Sequence, residues 1–570
     1  MNKRWVIKEA KDIKLINSLS KELNINPVLC NLLFHRGVED FESARMFFRP
    51  SLSHLHDPFL MQDMDKAVSR ILRAIENNEN ILVYGDYDVD GTTSVALVYS
   101  FLKTFYSKVD YYIPDRYKEG YGISTAGIDW AKERDITLII ALDCGIKSVD
   151  KIEYANGREI DFIICDHHLP GEEIPNAIAV LDPKRKDCNY PFKELSGCGI
   201  GFKLIQAIAS LKKIEFTTLT PYLDLVAVSI ASDIVPIIGE NRTLAHFGLK
   251  QLNENPRPGF KAILELSQVK KEITITDIVF TIGPRINAAG RIEDAKEAVR
   301  LLISVDKDTA LTAGLAINER NTERKTLDSS ITEHALKMIG DDEKLQKKKS
   351  TVLFHEEWHK GVIGIVASRL TEKYYKPTIV LTESNGHVTG SARSVKDFDV
   401  YMAIEACSEL LEQFGGHKYA AGLTLKLENL PAFIDKFETV VSSTIEERML
   451  TQEIEIDAEI GLKDITPSFY NVLKQFAPFG PGNMNPVFLT KKVNDKGFAR
   501  IVGNNHLKLS VTQPDANEYF MDAIGFQLGH YHQKANEKKS FDICYCIEEN
   551  VWNDKVSLQL NVKDLQFTDQ

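Results

Sequence analysis

Residues 80–91 read NILVYGDYDVDG, an apolar run that leads into three aspartates at alternate positions, Asp86, Asp88 and Asp90. The apolar part is typical of a buried strand, and residues 94–107 have the apolar spacing of a helix. Alternate residues of an extended chain point to one side, so we expect the three carboxylates to lie together. A polar turn with helix N-caps would also explain one such pair, but three acids after a predicted strand favour a ligand site.

Three further apolar runs end in an aspartate, at residues 109–115, 137–143 and 161–166. Helical patterns separate the runs, and this alternation predicts an α/β fold, a mostly parallel sheet with helices on both faces. Ligands of such sheets bind at the carboxyl ends of the strands. We therefore expect Asp143, and the triplet Asp166-His167-His168, to lie beside the first acidic cluster.

The composition limits the classes of protein that the chain can represent. Its 570 residues carry 69 Lys and Arg against 81 Asp and Glu, a net charge of −12, which excludes coating of nucleic acid through bulk charge. A local basic groove remains compatible with this average. Eight scattered cysteines without a CxxC pair support neither a disulfide framework nor a thiolate zinc site. The charged N-terminus, and the lack of an apolar run of about 18 residues, predict an intracellular, cytoplasmic protein that does not span a membrane.

We expect five segments along the chain. An N-terminal segment, 1–60, packs on the main α/β domain, 61–305, and a long charged helix with a hydrophilic linker occupies 306–348. A second, smaller α/β domain spans 349–455. Residues 456–570 contain runs whose apolar residues alternate in period two, which predicts an OB-like β-barrel.

The acidic residues and histidines indicate metal-assisted chemistry at phosphorus. Asp233 interrupts the apolar run 226–236 and is a further acidic candidate, although a helix cap would explain it equally well. Oxygen ligands with one or two imidazoles suit Mn²⁺ or Mg²⁺. Such a set could hold two ions about 3.5–4 Å apart, which would activate a water and stabilise the leaving oxygen. No GxxxxGK[ST] or GxSxG motif supports motor or acyl-transfer chemistry.

These motifs resemble those of the DHH phosphoesterase superfamily: GDYDVDG (85–91), LDCG (142–145), DHH (166–168) and SDIVP (232–236). Downstream, Gly415-Gly416-His417 with Ala420–Gly422 resembles the signature of its DHHA1 domain. Within the superfamily the chain is similar to the RecJ family of single-strand-specific 5′→3′ DNA exonucleases. The motifs that carry this similarity are IPDRYKEGYGIS (113–124), GPRINAAGR (283–291), HKGVIGIVASR (359–369), GSARS (390–394) and APFGPGNMNPVF (477–488). The resemblance implies a DHH catalytic domain, a connecting helix, a DHHA1 domain and an OB-like nucleic-acid-binding domain.

The resemblance also implies roles for single residues. The implied metal ligands are Asp86, Asp88, Asp90, Asp143, His167 and Asp233, and which two of the first three bind metal stays open. The implied catalytic residues are Asp143, His167, His168 and Arg285, with His168 as a neighbour of the ligands or a hydrogen-bond donor in the transition state. Many relatives carry His at the position of Tyr84, and a phenol is a poorer neutral ligand than imidazole.

Arginines in glycine-rich motifs are the expected phosphate contacts, because a guanidinium offers a bidentate fork to phosphate oxygens. We expect Arg116, Arg285, Arg291 and Arg393 to lie in turns rather than on helical faces. The resemblance implies that Arg116, Ser391 and Arg393 bind a 5′-phosphate and that Arg285 contacts the scissile region. The other expected substrate contacts are Tyr121, Asn287, Arg291, Gly415, Gly416 and His417.

We therefore expect a metal-dependent 5′→3′ exonuclease that hydrolyses single-stranded DNA to 5′-mononucleotides in recombination and repair. We expect a monomer, and the resemblance implies a helicase and a single-strand-binding protein as partners. A DHH-type phosphodiesterase of short oligonucleotides or cyclic dinucleotides, and a manganese pyrophosphatase, are disfavoured because such relatives are shorter and lack the β domain. A catalytically inactive DNA-binding module is disfavoured because every acidic motif is present.

Overall fold

The computed structural model describes residues 3–292, 294–514, 519–537, 539–552 and 555–567. The helices are α1 (Ile13–Leu23), α2 (Pro27–Phe34), α3 (Phe41–Phe48), α4 (Met64–Glu76), α5 (Val89–Lys103), α6 (Thr125–Lys132), α7 (Val149–Asn156), α8 (Gly197–Leu211), α9 (Leu223–Ser232), α10 (Gly239–Glu254), α11 (Pro258–Leu266), α12 (Ile275–Asp277), α13 (Gly283–Ile292), α14 (Lys296–Ile303), α15 (Lys307–Asp341), α16 (Glu343–Lys347), α17 (Ile363–Tyr374), α18 (Val400–Glu405), α19 (Leu430–Thr444), α20 (Pro467–Lys474) and α21 (His532–Ala535).

The strands are β1 (Arg4–Ile7), β2 (Asn80–Gly85), β3 (Val109–Tyr112), β4 (Ile136–Leu142), β5 (Asp161–Cys165), β6 (Ala179–Leu181), β7 (Thr351–Phe354), β8 (Thr378–Ser384), β9 (His387–Arg393), β10 (Gln413–His417), β11 (Ala420–Leu425), β12 (Glu453–Ile456), β13 (Ala458–Glu459), β14 (Phe488–Asp495), β15 (Arg500–Val502), β16 (His506–Thr512), β17 (Met521–Gly525), β18 (Phe541–Trp552) and β19 (Lys555–Phe567). None of the helices within the described ranges has the length and apolar character needed to cross a membrane.

The chain folds into two compact units. The larger comprises Leu55–Val235 and Gly239–Gln452, and the smaller comprises Met1–His54, Pro236–Ile238 and Glu453–Gln570. Each unit has its own sheets and its own apolar core.

A five-stranded parallel sheet in the order β3-β2-β4-β5-β6 organises the first half of the larger unit. Its central strands are buried apolar runs, as expected where helices cover both faces. The chain leaves β2 for β3 on one side and then returns to β4 on the other side. This reversal creates the switch point at which α/β sheets bind their ligands.

The second half of the larger unit is reached through α15, a helix of 35 residues. Its buried positions recur every three or four residues from Ala310 to Ile339, so one face packs along its whole length. The long helix predicted within 306–348 is thus observed, and the predicted linker contains the short helix α16. A mixed sheet in the order β10-β11-β9-β8-β7 follows, with α17 and α19 beside it.

The smaller unit contains a seven-stranded sheet in the order β13-β14-β18-β19-β17-β16-β15. A further pairing between β14 and β16 joins strands that stand far apart in this order, as in a barrel. The expectation that residues 1–60 pack on the main α/β domain is corrected for Met1–His54, which belong to the smaller unit, whereas the chain from Leu55 belongs to the larger one. Leu29, Leu32 and Phe47 share a buried core with Phe476 and the barrel strands, and β1 pairs with β12, because the N-terminal helices cover apolar surface of this unit.

Candidate active site

A row of aspartates lies at one edge of the parallel sheet. The strand register aligns Gly85 with Leu142, Leu142 with Cys165, and Cys165 with Leu181. An aspartate directly follows each of these four residues. The row of acids is Asp86, Asp143, Asp166 and Asp182, all almost completely buried.

Strand β2 ends at Gly85 and Asp90 already lies within α5, which corrects the expectation of three carboxylates on one extended chain. Asp88 is the N-cap of α5 and accepts a hydrogen bond from the backbone N–H of Gly91 at 3.0 Å. Asp90 lies in the first turn of α5. Its carboxylate accepts hydrogen bonds from the backbone N–H of Gly197 at 2.7 Å and from the hydroxyl of Ser229 at 2.7 Å. Asp90 therefore ties α5 to α8 and α9.

His167 occupies the middle of the acidic residues. Its Nε2 lies 3.2 Å from Oδ1 of Asp143, 3.5 Å from Oδ2 of Asp233 and 3.7 Å from Oδ2 of Asp90. Ligands that surround one ion at right angles with bonds of about 2.1 Å stand about 3 Å apart. Two groups of three side chains bring possible ligand atoms within 4.8 Å of one another, the triads Asp143-His167-His168 and Asp90-His167-Asp233. The two triads share His167.

Several polar atoms of this centre have no hydrogen-bond partner among the described residues. They are Oδ2 of Asp86, Oδ1 of Asp143, and both ring nitrogens of His167. Burial, and then the neighbouring Asp90, raises the pKa of Asp143 well above its ordinary value. Burial and the same neighbour raise the pKa of Asp233 to about 8. Buried acids that lack a counter-charge fit a divalent cation, so the residues present suit Mn²⁺ or Mg²⁺.

Backbone geometry holds Asp143 in place. Its φ of +60° lies in the left-handed region, which Asp tolerates better than most residues. Helix α8 begins at Gly197, where a Cβ atom would stand 2.8 Å from the Cβ of Asp143. Glycine is therefore required at Gly197, because the helix N-terminus approaches the acid closely.

His168 is held by Asp166 rather than by the other acids. Its Nδ1 lies 2.7 Å from Oδ1 of Asp166 and its Nε2 lies 3.3 Å from the hydroxyl of Tyr121. Burial raises the pKa of Asp166, but the hydrogen bond from His168 and backbone N–H donors hold it at about 2. Burial opposes the charge on His168, yet the hydrogen bond and charge of Asp166 raise its pKa to about 9. Asp166 thus keeps His168 protonated and fixes the ring.

Tyr84 is turned away from the acids. Its hydroxyl donates to the backbone carbonyl of Gly122 at 2.9 Å and accepts from the backbone N–H of Ser124 at 3.1 Å. The ring is fully buried and stacks on Tyr112 at 5.3 Å between centroids. The phenol supports the 122–124 loop, and the N–H of Gly122 lies 3.4 Å from Oδ1 of Asp86.

The four predicted phosphate-binding arginines do not all lie in turns. Arg116 does, but Arg285 and Arg291 lie on α13 and Arg393 ends β9, which corrects the expectation. Burial lowers the pKa of Arg291 to about 10, and the charges of Arg116, Arg324 and Arg393 contribute to this shift. The guanidinium groups of Arg116, Arg291, Arg324 and Arg393 thus lie near one another with little opposing charge, an arrangement suited to an anion.

Neighbouring side chains orient these groups. The guanidinium of Arg393 donates to the hydroxyl of Ser391 at 3.0 Å, and that of Arg116 stands over the ring of Tyr87 at 5.0 Å. Asn287 lies one helical turn before Arg291 on α13 and is half-buried. Tyr121, 55% exposed, also donates to the backbone carbonyl of Asp143 at 3.2 Å.

Arg285 is held from the connecting helix. Its Nε donates to Oδ1 of Asn318 at 3.1 Å. Arg324, further along α15, donates to Asn321 at 3.2 Å, and its own Nε has no hydrogen-bond partner among the described residues. Asp328 on the same helix pairs with Arg369 of α17 at 2.7 Å. The connecting helix therefore positions cationic side chains from both α/β domains.

One face of the second sheet carries the remaining predicted contacts. The register places Ser391, Gly422 and Gly415 in one row across three strands, and Arg393, Ala420 and His417 in the next. His417 is exposed. A cavity of about 390 Å³ lies against this face, and Tyr87, Arg116 and Lys360 also line it. The cavity joins the two α/β domains of the larger unit.

The two adjacent glycines of this face differ. A Cβ atom on Gly415 would meet nothing within 4 Å. Gly416 has a φ of +148°, and a Cβ atom there would stand 2.4 Å from the carbonyl oxygen of Ala420. The fold requires glycine at Gly416, whereas Gly415 leaves open space in the cavity.

Family models and curated relatives match the chain along most of its length. The matching models are the DHH family N-terminal domain over residues 80–230, the DHHA1 domain over 347–443 and the RecJ OB domain over 456–564. The single-stranded-DNA-specific exonuclease RecJ of Bacillus subtilis is 36% identical over 98% of this chain and 70% of its own length. That of Escherichia coli is 30% identical over 95% of this chain and 96% of its own length. The chain belongs to the RecJ family.

Solved RecJ structures share the fold. The RecJ of Thermus thermophilus in complex with Mn²⁺ superposes with a TM-score of 0.85 at 24% identity, over 100% of this chain and 80% of that one. A manganese-bound exonuclease RecJ superposes with a TM-score of 0.61 at 28% identity, over 70% of this chain and 98% of that one. The RecJ fold predicted from the motifs, with DHH, DHHA1 and OB domains, is confirmed.

Three residues near the centre and the cavity were not among the predicted site residues of this RecJ-family chain. Asp182 follows β6 in the row of acids, and burial raises its pKa to about 7. Its position after a short apolar run was the available signal. Lys360 lies in the turn before α17, and Arg324 lies on the charged helix α15. At both places the sequence alone does not distinguish a binding cation from a solvated one.

Proposed function

We propose that this RecJ-family chain removes nucleotides from the 5′ end of single-stranded DNA and releases 5′-mononucleotides, in DNA recombination and repair. The observation that carries the proposal is that a cluster of buried acids lies beside a cluster of arginines in the larger unit. Burial raises the pKa of Asp86 and the charge of Arg116 opposes this rise, so the two clusters adjoin. Tyr87 stands between Asp86 and Asp88 in sequence, and its ring carries Arg116.

The proposed metal ligands are Asp90, Asp143, His167 and Asp233 from the two triads, together with Asp86. Asp86 offers an oxygen without a partner among the described residues, whereas Asp88 caps a helix and Asp90 is already tied to α8 and α9. Among the three clustered aspartates, Asp86 and Asp90 are therefore the better candidates, because Asp90 also belongs to a triad. When bound, divalent ions supply an activated water and stabilise charge on the leaving oxygen.

The protonated ring of His168 has a separate proposed task. Asp166 holds its Nδ1, so its Nε2–H is directed toward the side of the centre where Tyr121 lies. An imidazolium in this position can donate a hydrogen bond to a non-bridging oxygen of the scissile phosphate. The donor is fixed before the substrate arrives, which is the condition under which such stabilisation is large.

The polarity of cleavage follows from the arginine cluster. Arg116, Arg291, Ser391 and Arg393 would anchor a terminal 5′-phosphate against the face of the second sheet. Arg285 on α13 and the open space beside Gly415 would guide the nucleotides that follow the terminal phosphate. With the terminal phosphate held at a fixed distance from the acids, the first phosphodiester bond lies at the metal centre and one nucleotide leaves per cycle.

We further propose that the enzyme acts as a monomer and works with a helicase and a single-strand-binding protein. Both walls of the cavity come from one chain, so no second copy is needed to complete the site. The proposal of these two partner proteins rests on the family resemblance.

A single strand labelled at its 3′ end tests the polarity. Release from the 5′ end shortens the labelled strand in steps of one nucleotide in the presence of Mn²⁺. Release of the labelled terminal nucleotide in the first turnover would contradict the proposal. The control is the same strand labelled at its 5′ end, which should lose its label at once.

A further inference from the structure

Ile234 has a backbone conformation that its side chain disfavours. Its φ is +60°, in the left-handed region, and it directly follows Asp233 at the end of α9. Fifteen non-glycine residues of the described chain have a positive φ, and Ile234 is the single β-branched one. For a β-branched residue this conformation is a genuine outlier, because the Cβ substituents crowd the backbone.

Packing does not account for isoleucine at this position. The residue after a helix C-cap often adopts the left-handed conformation, and glycine or asparagine is usual there. The side chain of Ile234 is 64% exposed, so it gains little from burial in the fold. The backbone conformation therefore weakens the folded chain, and burial of the side chain offsets little of this cost.

Two more exposed apolar side chains lie in segments that adjoin the same acids. Leu169, 65% exposed, follows His168. Phe280, 74% exposed, lies in the π-helical segment Ile278–Ile282 that leads into α13. The end of this segment reaches the residue before Asp233, because a Cβ atom on Gly283 would stand 2.9 Å from the hydroxyl of Ser232. Single π-helical turns occur frequently at functional sites.

We propose that Ile234, with Leu169 and Phe280, forms an apolar rim that packs against the nucleobases next to the scissile phosphate. The inference rests on the proposed function, since it assumes that a DNA strand enters the acidic centre. A nucleotide presents its phosphate and its flat apolar base side by side, so metal ligands and apolar side chains are needed next to each other. Contact with the face of a base tolerates any sequence, as an exonuclease requires.

The experiment measures the full-length protein in two ways, without cleavage. Binding is measured in EDTA by fluorescence anisotropy, with a 3′-labelled, 5′-phosphorylated oligothymidylate and with the same strand lacking its first three bases. Thermal unfolding is measured for the same samples without DNA. The variants are Ile234→Asn, which suits the left-handed backbone, Ile234→Leu, which keeps an apolar side chain without the β-branch, and Val305→Ser.

We expect Ile234→Asn to unfold at the same temperature as the parent or higher, and to bind the base-bearing strand roughly three- to tenfold more weakly. Its affinity for the strand without the first bases should match that of the parent. Ile234→Leu should recover the lost affinity. Val305 is 90% exposed and lines a cavity with Tyr222 at the opposite end of α9, so its substitution should change neither affinity.

Two outcomes overturn the rim. The first is equal affinity of the parent and Ile234→Asn for the base-bearing strand, and the second is a parent that binds both strands equally well. A parent that binds single strands but does not cut them with Mn²⁺ contradicts the proposed function instead. Because the binding assay needs no cleavage, the two failures are distinguishable.

Discussion

Nε2 of His167 lies 3.2 Å from Oδ1 of Asp143, and neither atom has a hydrogen-bond partner among the described residues. Two buried polar groups at this distance would normally share a proton. Carboxylate oxygens of Asp90 and Asp233, however, also lie near this ring nitrogen, at 3.7 and 3.5 Å. The ring and its acids are arranged for a cation that satisfies all of them, and a metal-free fold carries the cost of their burial.

Replacing Asp143 by Asn should therefore stabilise the metal-free protein and weaken metal binding. Burial and the charges of nearby acids raise the pKa of Asp143, so a neutral amide removes an unfavourable charge. Scanning calorimetry in EDTA should show a higher Tm for Asp143→Asn than for the parent. Mn²⁺ at about a hundred times its Kd should stabilise the parent by about 2.7 kcal/mol and the variant by much less.

The matched control is Asp110→Asn, which changes an exposed acid of β3 and should leave both measurements unchanged. A lower Tm for Asp143→Asn in EDTA would show instead that the carboxylate stabilises the metal-free fold, and the acids would then not be arranged for a cation.

The ion pair between His168 and Asp166 should stabilise the metal-free protein in a defined pH range. The folded pKa of His168, about 9, lies above its ordinary value of 6.5, so its contribution is complete below pH 6.5. It is lost as the pH rises through about 9. The Tm of His168→Gln should therefore fall below that of the parent at pH 6.5, and the gap should close by about pH 10.

His246→Gln provides the comparison. Burial, and then Arg242, lowers the pKa of His246, so the neutral form is favoured over this range and the difference in Tm between His246→Gln and the parent should change little with pH. A gap for His168→Gln that does not change with pH would exclude the proposed charge state.

Arg393→Ala should reduce the preference for a 5′-phosphate more than it reduces activity in general. The guanidinium is held by Ser391 and lies in a cluster with little opposing charge, so its removal costs a charge-assisted contact of about 1.5–3 kcal/mol. We expect kcat/KM to fall roughly 10- to 100-fold on a 5′-phosphorylated strand and much less on a 5′-hydroxyl strand.

Arg448 pairs with Asp397 and Glu446 on the surface, and Arg448→Ala should affect neither strand. An equal loss on both strands for Arg393→Ala would mean that the residue does not contact the terminal phosphate.

The adjacent glycines Gly415 and Gly416 should respond differently to alanine. Gly416→Ala places a Cβ atom 2.4 Å from the carbonyl oxygen of Ala420 at a φ of +148°, so we expect a loss of about 1–3 kcal/mol of stability. Gly415→Ala meets no atom within 4 Å and should unfold like the parent, but its methyl group enters the cavity. Urea unfolding and kcat/KM, measured on both variants, separate the two effects.

Normal activity of Gly415→Ala would remove that residue from the substrate path. Normal stability of Gly416→Ala would contradict the close approach of β10 and β11.

The row of acids was predictable because strand ends in a parallel sheet share one edge. Asp86, Asp143 and His167 needed only the position of each buried run and the rule for ligand sites. The positions of Asp88 and Asp90 were not predictable in the same way. Aspartates at alternate positions occur along extended chain and also across the start of a helix. The N-cap hydrogen bond of Asp88 shows that a helix begins at this point.

The arginines and the N-terminal segment show a second limit. Gly283 and Gly290 suggested turns, yet both lie within α13. Glycine occurs in the helix at Gly290 because a Cβ atom there would stand 2.9 Å from the carbonyl oxygen of Tyr87. The partner of residues 1–54 depends on which apolar surface is left uncovered by the barrel, and local patterns carry no information about it.

The acidic centre is proposed to cut single-stranded DNA from its 5′ end. The most direct test is digestion of an end-labelled, 5′-phosphorylated single strand with Mn²⁺, beside Asp143→Ala and a blunt duplex of the same sequence. We expect stepwise release of 5′-mononucleotides from the single strand, none from the duplex, and none with the variant. Cleavage of the duplex, release from the 3′ end, or full activity of Asp143→Ala would contradict this function.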